Sequence, residues 1–165
     1  MLLTTSRKPS TRSRTLCKHL GRYLNCDYVN RGKMSFEEIF DFHPDVPVLL
    51  IGEYHGNPGS FEIFDSSGNY LLSIYMDVAY SGDIKSLNRK KGAPVVMGRG
   101  NIAETIAKTL SFEHAEQNSD ESCGLRCIVI GKDTIDLMDS GKLLFSFRIK
   151  SYKIFGKGGR CEGYS

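Results

Sequence analysis

The sequence predicts an α/β fold with two structurally similar halves, each a mixed β-sheet with packed helices. Strand-like segments with alternating apolar residues are interspersed with three segments of helical spacing, which is typical of the α/β class. Short polar turns between neighbouring strands indicate hairpins, so antiparallel pairs are expected beside parallel ones. Three short strings also recur in the same order along the chain, which suggests that one unit occurs twice.

The first helix is expected to be amphipathic and basic. A strand over residues 1–5 precedes it, and residues 10–24 then place their apolar side chains on one side at 100° per residue. Arg14, Lys18 and Arg22 follow the i, i+4, i+8 spacing on the opposite side. Tyr23 falls on the apolar side, so we expect its ring in the core.

Caps and turns define the rest of the first half. Ser35 and Glu38 form a capping box that opens a second helix, and His43 and Pro44 end it. The further strands are expected near Tyr28 and over 48–53, 60–64 and 70–78, with turns at 56–59 and 65–69.

The second half is expected to repeat this order after a basic connector over 81–92. Asn101, with Glu104 three residues later, is expected to cap a helix that runs to about residue 115. The turn Gly98 to Asn101 contains two glycines but lacks the spacing of a dinucleotide-binding loop. Strands are expected over 95–97, 127–130, 134–138 and 142–152.

The repeated strings support an internal duplication. TLCKHL matches TIAKTL, VLLIG matches CIVIG, and FEIFDSSGNYLLSI matches IDLMDSGKLLFSF with one gap. Each match falls on the same kind of element. We therefore interpret 1–165 as one domain whose halves span about 1–80 and 93–155, joined by the connector 81–92.

Charge is distributed unevenly along the chain. Residues 1–33 contain eight Lys or Arg residues against Asp27 alone, a net charge of +7, whereas the whole chain carries +3. The remainder is therefore acidic, at −4. Such asymmetry favours an anionic partner for one surface, and backbone phosphates are the usual one. The candidate RNA-binding residues are Arg7, Lys8, Arg12, Arg14, Lys18, Arg22, Arg31 and Lys33.

Two other interpretations of this basic segment remain open. The cations on the helix can be an ordinary solvated face, and the Arg- and Ser-rich composition is also that of a mitochondrial leader. Two further basic clusters can either extend this cationic surface or remain solvated: Arg89 to Lys91, and Arg148 with Lys150. Aromatic residues are few in the segment, so backbone recognition is expected rather than base stacking.

Enzyme and metal motifs are mostly missing from the sequence. The terminal GKGGR lacks the spacing of a phosphate-binding P-loop, and Cys123 and Cys127 have no second pair at zinc-finger spacing. Glu53 and His55 are the best acid–base candidates, although a turn-forming or hydrogen-bonded pair is the stronger interpretation. We expect no catalytic residue, no metal and no cofactor, and no membrane or small-molecule partner.

The chain resembles the Brix-domain proteins, ribosome-biogenesis factors that associate with precursor rRNA. TTSRKPSTRSRTLCKHLGRYL followed by NRGK is similar to the start of the family's domain, and VLLIGEYHGNPGSFEIF is similar to its E-x-x-G-x-P turn and hairpin, with Glu53, Gly56 and Pro58. The family often has a G-P-R-F-like hairpin near the end, where this chain has Gly141, Lys142 and Leu143. We therefore assign no RNA role to the last hairpin.

The resemblance implies both a fold and a function. Each half is expected to be similar to the anticodon-binding domain of class IIa aminoacyl-tRNA synthetases, and the bare domain is similar to archaeal members. The implied function is non-catalytic: the chain binds precursor rRNA and works with other assembly factors or ribosomal proteins. The location would be cytoplasmic in an archaeon and nucleolar in a eukaryote. The alternatives are a protein-interaction scaffold with an incidental basic face and an RNA-directed enzyme using Glu53 and His55.

Overall fold

Ten strands and three helices make up the computed structural model, which describes residues 1–80, 84, 87, 92–116 and 126–156. The longest helix has 14 residues, and within the described residues none is long and apolar enough to cross a bilayer. In chain order the elements are β1 (Leu2–Thr5), α1 (Thr11–Leu24), β2 (Asp27–Tyr28), α2 (Phe36–Phe42), β3 (Val48–Tyr54), β4 (Asn57–Phe64), β5 (Tyr70–Tyr80), β6 (Val95–Met97), α3 (Asn101–Leu110), β7 (His114–Ala115), β8 (Arg126–Ile130), β9 (Thr134–Asp139) and β10 (Lys142–Ile154).

All described strands join one mixed sheet in the order β2-β1-β3-β4-β5-β10-β9-β8-β6-β7. β1 pairs in parallel with β2 and β3, and β3, β4 and β5 follow as an antiparallel meander. β6 pairs in parallel with β7 and β8, and β8, β9 and β10 form a second meander. The sequence predicts a sheet for each half; the structure merges the strands because the long β5 and β10 pair with each other. The duplication itself stays a prediction.

The core has two parts, one on each face of the sheet. α1 and α3 pack on one face, where Leu20 and Leu24 of α1 meet Ile106 and Leu110 of α3 over Phe147 of β10. α2 covers the opposite face with a second apolar cluster. Side chains alternate along a strand, so β1 supplies Leu3 to the first cluster and Leu2 to the second. The capping box predicted for Ser35 and Glu38 is confirmed at the start of α2.

The expected bounds of the third helix are wrong at both ends. Gly100, and not Asn101, is the N-cap residue, and no side chain caps the helix there. The helix stops at Leu110 because Ser111 takes a left-handed conformation (φ 56°, ψ 41°), and the chain then returns as the edge strand β7. A two-residue strand has too few positions for an alternating pattern to reveal it.

Candidate nucleic-acid interface

Helix α1 presents a cationic row to solvent. Ser10 is its N-cap, and the Ser10 Oγ accepts a hydrogen bond from the Ser13 backbone N–H at 3.2 Å. The predicted apolar side is buried against the sheet, including Tyr23, whose side chain is fully buried. Because the opposite side points outward, Arg14, Lys18 and Arg22 are all exposed.

A carboxylate from β3 holds the N-terminal end of α1. Oε1 of Glu53 accepts a hydrogen bond from the backbone N–H of Ser10 at 2.7 Å and another from Oγ of Ser13. Burial alone would raise the pKa of Glu53, but the hydrogen bonds from Ser10 and Ser13 and the charge of Arg14 outweigh burial and lower it. A negative charge at a helix N-terminus also complements the helix dipole.

A buried guanidinium from the second half holds the C-terminal end of the same helix. Arg126 is 1% exposed, and its Nη1 donates to the backbone carbonyls of Arg22 at 2.9 Å and Tyr23 at 3.1 Å. Its Nε donates to Oδ2 of Asp139 at 3.2 Å, which balances the buried charge. A cation at a helix C-terminus is electrostatically favourable, so both ends of α1 have the charge they prefer.

The Tyr23 side chain adds a further contact between α1 and the second half. Its hydroxyl lies 2.7 Å from the carbonyl oxygen of Cys127 and 2.9 Å from that of Met138. The Arg126 guanidinium lies over the same ring, 5.6 Å from the centroid. Arg126 is not among the residues predicted from the sequence; the available signal was an arginine opening an otherwise apolar strand, RCIVI.

The exposed cations of the basic segment form no ion pair within the part of the chain that the structure describes, although the charge of Arg14 acts on Glu53. Arg14 makes one long contact, 3.4 Å from its Nη2 to Oγ1 of Thr11, and Arg12 donates from Nη1 to Oδ1 of Asn57 at 2.5 Å. Unpaired cations on a rigid helix can meet phosphates without first breaking an ion pair. The exposed candidates are Arg7, Lys8, Arg12, Arg14, Lys18, Arg22 and Lys33.

Arg31 differs from the other predicted residues because it is buried. Its side chain turns back into its own loop, where Nε donates to the carbonyl of Met34 at 2.9 Å and the guanidinium lies over the ring of Phe36 at 5.5 Å. The residue is 7% exposed. Burial first, and then the nearby charge of Arg7, lower the pKa of Arg31. The sequence places Arg31 among the surface contacts, whereas in the structure its side chain is buried and stabilises its own turn.

The other basic clusters do not join the α1 surface within the described residues. Phe147 packs beneath α1, so by strand alternation its neighbour Arg148 lies on the opposite face of the sheet. Lys150 forms an ion pair with Asp77, with 2.6 Å between Nζ and Oδ1. Arg89 to Lys91 and the terminal residues 157–165 lie outside the described residues.

The acid–base pair considered for catalysis takes the turn-forming arrangement. His55 and Gly56 have φ of 50° and 74° and form the two-residue turn between β3 and β4, with the His55 ring against that of Tyr54. The Glu53 carboxylate is engaged at the N-terminus of α1. Cys127 is buried and Cys123 lies outside the described residues; among those described, no cluster of metal-ligating side chains occurs.

Comparisons with known proteins identify the family. A protein of Methanosarcina mazei is 43% identical over 155 residues, 93% of this chain and 99% of its own, and one of Methanococcoides burtonii is 34% identical over 93% and 96%. Both are named Brix domain-containing ribosomal biogenesis proteins. The chain belongs to this Brix-domain family. No protein-family model matches the chain.

Solved structures agree with the Brix assignment. The crystal structure of Mil, an archaeal Imp4-like protein, superposes with a TM-score of 0.71 at 28% identity and covers 94% of this chain and 100% of Mil. A ribosomal biogenesis protein of Aeropyrum pernix has the same fold, with a TM-score of 0.69 at 21% identity over 90% of this chain. The α/β fold with a large mixed sheet is therefore the fold of these relatives.

The structure also joins the two Brix motifs that the sequence shows separately. Glu53 of the E-x-x-G-x-P motif accepts the hydrogen bonds of Ser10 and Ser13 from the S-R-x-P-S motif and the helix that follows. The carboxylate therefore determines where the basic helix begins relative to the sheet. In the last hairpin, Ser140 and Gly141 form a tight turn with φ of 53° and 75°.

Proposed function

We propose that this Brix protein is a non-catalytic rRNA-binding factor that holds precursor rRNA through α1 and the turn before it. Its family carries the coarser conclusion, a role in ribosome biogenesis. The finer assignment is supported by one observation above others: an exposed row of three cations on a helix fixed at both ends, with no carboxylate within ion-pair distance among the described residues. Such a surface binds a polyanion and gives strongly salt-dependent affinity.

The test is charge reversal on the row, with binding measured across salt. We expect Arg14→Glu, Lys18→Glu and Arg22→Glu together to weaken binding to tiled rRNA fragments and to reduce the slope of log affinity against log salt by about 2 to 3. A matched control carries Lys132→Glu, Lys142→Glu and Arg148→Glu, which are exposed residues outside the proposed surface. It has the same change in net charge.

The two triple variants separate a local site from a general charge effect. Equal losses in both would assign binding to net charge alone, and unchanged affinity and slope in the α1 variant would refute the site. A third protein with Gln at the three α1 positions removes the cations without adding negative charge to the helix. Far-UV circular dichroism checks that each variant keeps its secondary structure.

A protein-docking role is the second candidate, favoured by helix α2. Glu37, Glu38 and Asp41 of this helix are exposed, and Phe42 beside them is 69% exposed. Acidic residues around an exposed ring suit a basic protein segment, such as those of ribosomal proteins. If protein docking is the main role, partner proteins should co-purify equally well before and after nuclease treatment. If RNA binding is the main role, nuclease treatment should release them.

We also propose that the two halves are copies of one unit, each similar to the anticodon-binding domain of class IIa aminoacyl-tRNA synthetases. The same succession of parallel and antiparallel pairings in β1 to β5 and in β6 to β10 supports this proposal. As the named relatives are archaeal, we place the protein in the cytoplasm, with precursor rRNA and other assembly factors as partners.

A further inference from the structure

A groove of about 730 Å³ runs between the N-terminal half of α1 and the end of β5. We call it the α1–β5 groove. Its volume is in the range of sites that hold small organic molecules, roughly 300 to 1,000 Å³. Its walls come from three elements distant in sequence, and they include Arg12, Thr15 and His19 of α1, Pro58 of β4, and Val78 and Tyr80 of β5.

One wall of the groove is cationic and rich in hydroxyl groups. Arg12 belongs to the proposed RNA surface, and its contact with Asn57 uses one of five N–H donors. Thr11 and Thr15 place hydroxyl groups along the same wall. Asp77 also borders the groove, but by strand alternation with Val78 its carboxylate faces away from α1, where it pairs with Lys150 at 2.6 Å. This wall therefore suits a phosphate or a ribose.

The facing wall is aromatic and apolar. Tyr80 is 48% exposed, and its ring is supported edge-on by Phe145, with 5.9 Å between centroids and 66° between planes. Pro58 and Val78 lie beside it. A half-exposed ring held in a fixed orientation is what stacking against a nucleobase requires.

His19 adds an imidazole to the α1 wall of the groove. Burial first, and then the charge of Arg22, lower the pKa of His19, so the ring is uncharged at neutral pH. Its Nδ1 is buried without a hydrogen-bond partner among the described residues, and the residue lines the groove. A neutral ring edge can bind a base edge without adding charge.

We propose that the α1–β5 groove holds one unpaired nucleotide of the bound RNA, with its base against Tyr80 and its phosphate at Arg12. This inference rests on the proposed RNA-binding function and adds a preference for unpaired residues. The continuity of Arg12 with the cationic row favours a nucleotide over an apolar peptide, because a chain already bound along α1 brings its phosphates to the groove mouth. Bases that are unpaired and unstacked are also the usual targets of specific RNA recognition.

The experiment compares two hairpin RNAs that differ by one bulged uridine. We expect the wild-type chain to bind the bulged hairpin about 10- to 100-fold more tightly than the fully paired one, the range that stacking of one base gives. Tyr80→Leu should remove this preference and leave binding of the paired hairpin unchanged. Tyr80→Phe, which keeps the ring, should retain the preference, and Tyr54→Leu, at a tyrosine 67% exposed outside the groove, is the control.

A crosslink gives a second readout that needs no variant. With 5-iodouridine at the bulge, irradiation should attach the RNA to Tyr80 or His19. Crosslinks confined to Tyr75 or Tyr152, which are exposed outside the groove, would overturn the proposal, as would equal binding of both hairpins. If the wild type bound both hairpins equally while the α1 triple variant bound neither, that result would support RNA binding through α1 and overturn the nucleotide site. The groove would then be a candidate site for a protein segment.

Discussion

The guanidinium of Arg126 lies 5.6 Å above the ring of Tyr23 and donates a 3.1 Å hydrogen bond to the backbone carbonyl of the same residue. The two residues are 103 positions apart, and they fasten the basic helix of the first half to β8 of the second. Because the cation also reaches the carbonyl of Arg22, it occupies the end of α1 where free carbonyls need donors. Arg126 thus fixes the position of the helix that carries the surface cations.

Replacing Arg126 by Met should destabilise the fold by about 3 kcal/mol. The substitution removes the hydrogen bonds from Arg126 to two helix carbonyls and to Oδ2 of Asp139, and breaking a buried pair is costly. Chemical denaturation measures the free energy of unfolding. Arg99→Met, which removes an exposed ion pair of 3.8 Å with Glu116, is the control and should cost below about 1 kcal/mol. Similar losses in both variants would contradict this role for Arg126.

Replacing Glu53 by Gln should cost about 1 to 2 kcal/mol at pH 7, because the capping hydrogen bonds at Ser10 and Ser13 lose their charged acceptor. The folded state lowers the pKa of Glu53 below its ordinary 4.5. Its contribution is therefore present above pH 4.5 and lost as pH falls through the folded-state pKa. Denaturation of both proteins from pH 7 down to pH 3 should show the difference shrinking; a constant difference would contradict it. Glu113→Gln, at an exposed residue, is the control.

Glu62 should show the opposite pH dependence. The residue is 9% exposed, and burial raises the pKa of its carboxyl group above 4.5 despite the hydrogen bond from Oγ of Ser60 at 2.9 Å. The protonated form is favoured in the folded state, so this stabilisation is complete below pH 4.5 and lost as pH rises through the folded-state pKa. Glu62→Gln should therefore gain stability relative to wild type between pH 4.5 and pH 8. A difference in the free energy of unfolding between the variant and wild type that does not change with pH would contradict the raised pKa of Glu62.

Arg31 and Lys33 should separate stability from RNA binding. Arg31→Met removes a hydrogen bond and a cation–π contact from the loop before α2, so we expect a loss of about 1 to 2 kcal/mol with the salt slope of RNA binding retained. Lys33→Met changes an exposed side chain and should reduce that slope by about 1, with stability within about 0.5 kcal/mol. If Arg31→Met reduced the salt slope and left stability unchanged, Arg31 would belong to the RNA surface after all.

Local patterns in the sequence were sufficient for most of the elements, but not for β7 or for the bounds of α3. The 3.6-residue period of α1 identifies both its buried side and its cationic row, and the capping box of Ser35 and Glu38 locates the start of α2. The alternation of β10 places Phe145 and Phe147 inside. These features depend on residues within one or two turns of each other, so a linear pattern records them. The motifs near Ser10 and Glu53 were also enough to suggest the family that the comparisons establish.

Only the tertiary structure determined which distant groups meet. Glu53 lies 43 residues from Ser10, and Arg126 lies 104 residues from Arg22, so no local period relates either pair. The pairing of β5 with β10 makes one sheet from two and brings Tyr80 to the groove beside Arg12. Arg31 is charged like its neighbours, yet its side chain folds onto Phe36. Sequence gives each residue its chemistry, whereas partners and exposure depend on how chain segments far apart in sequence pack together.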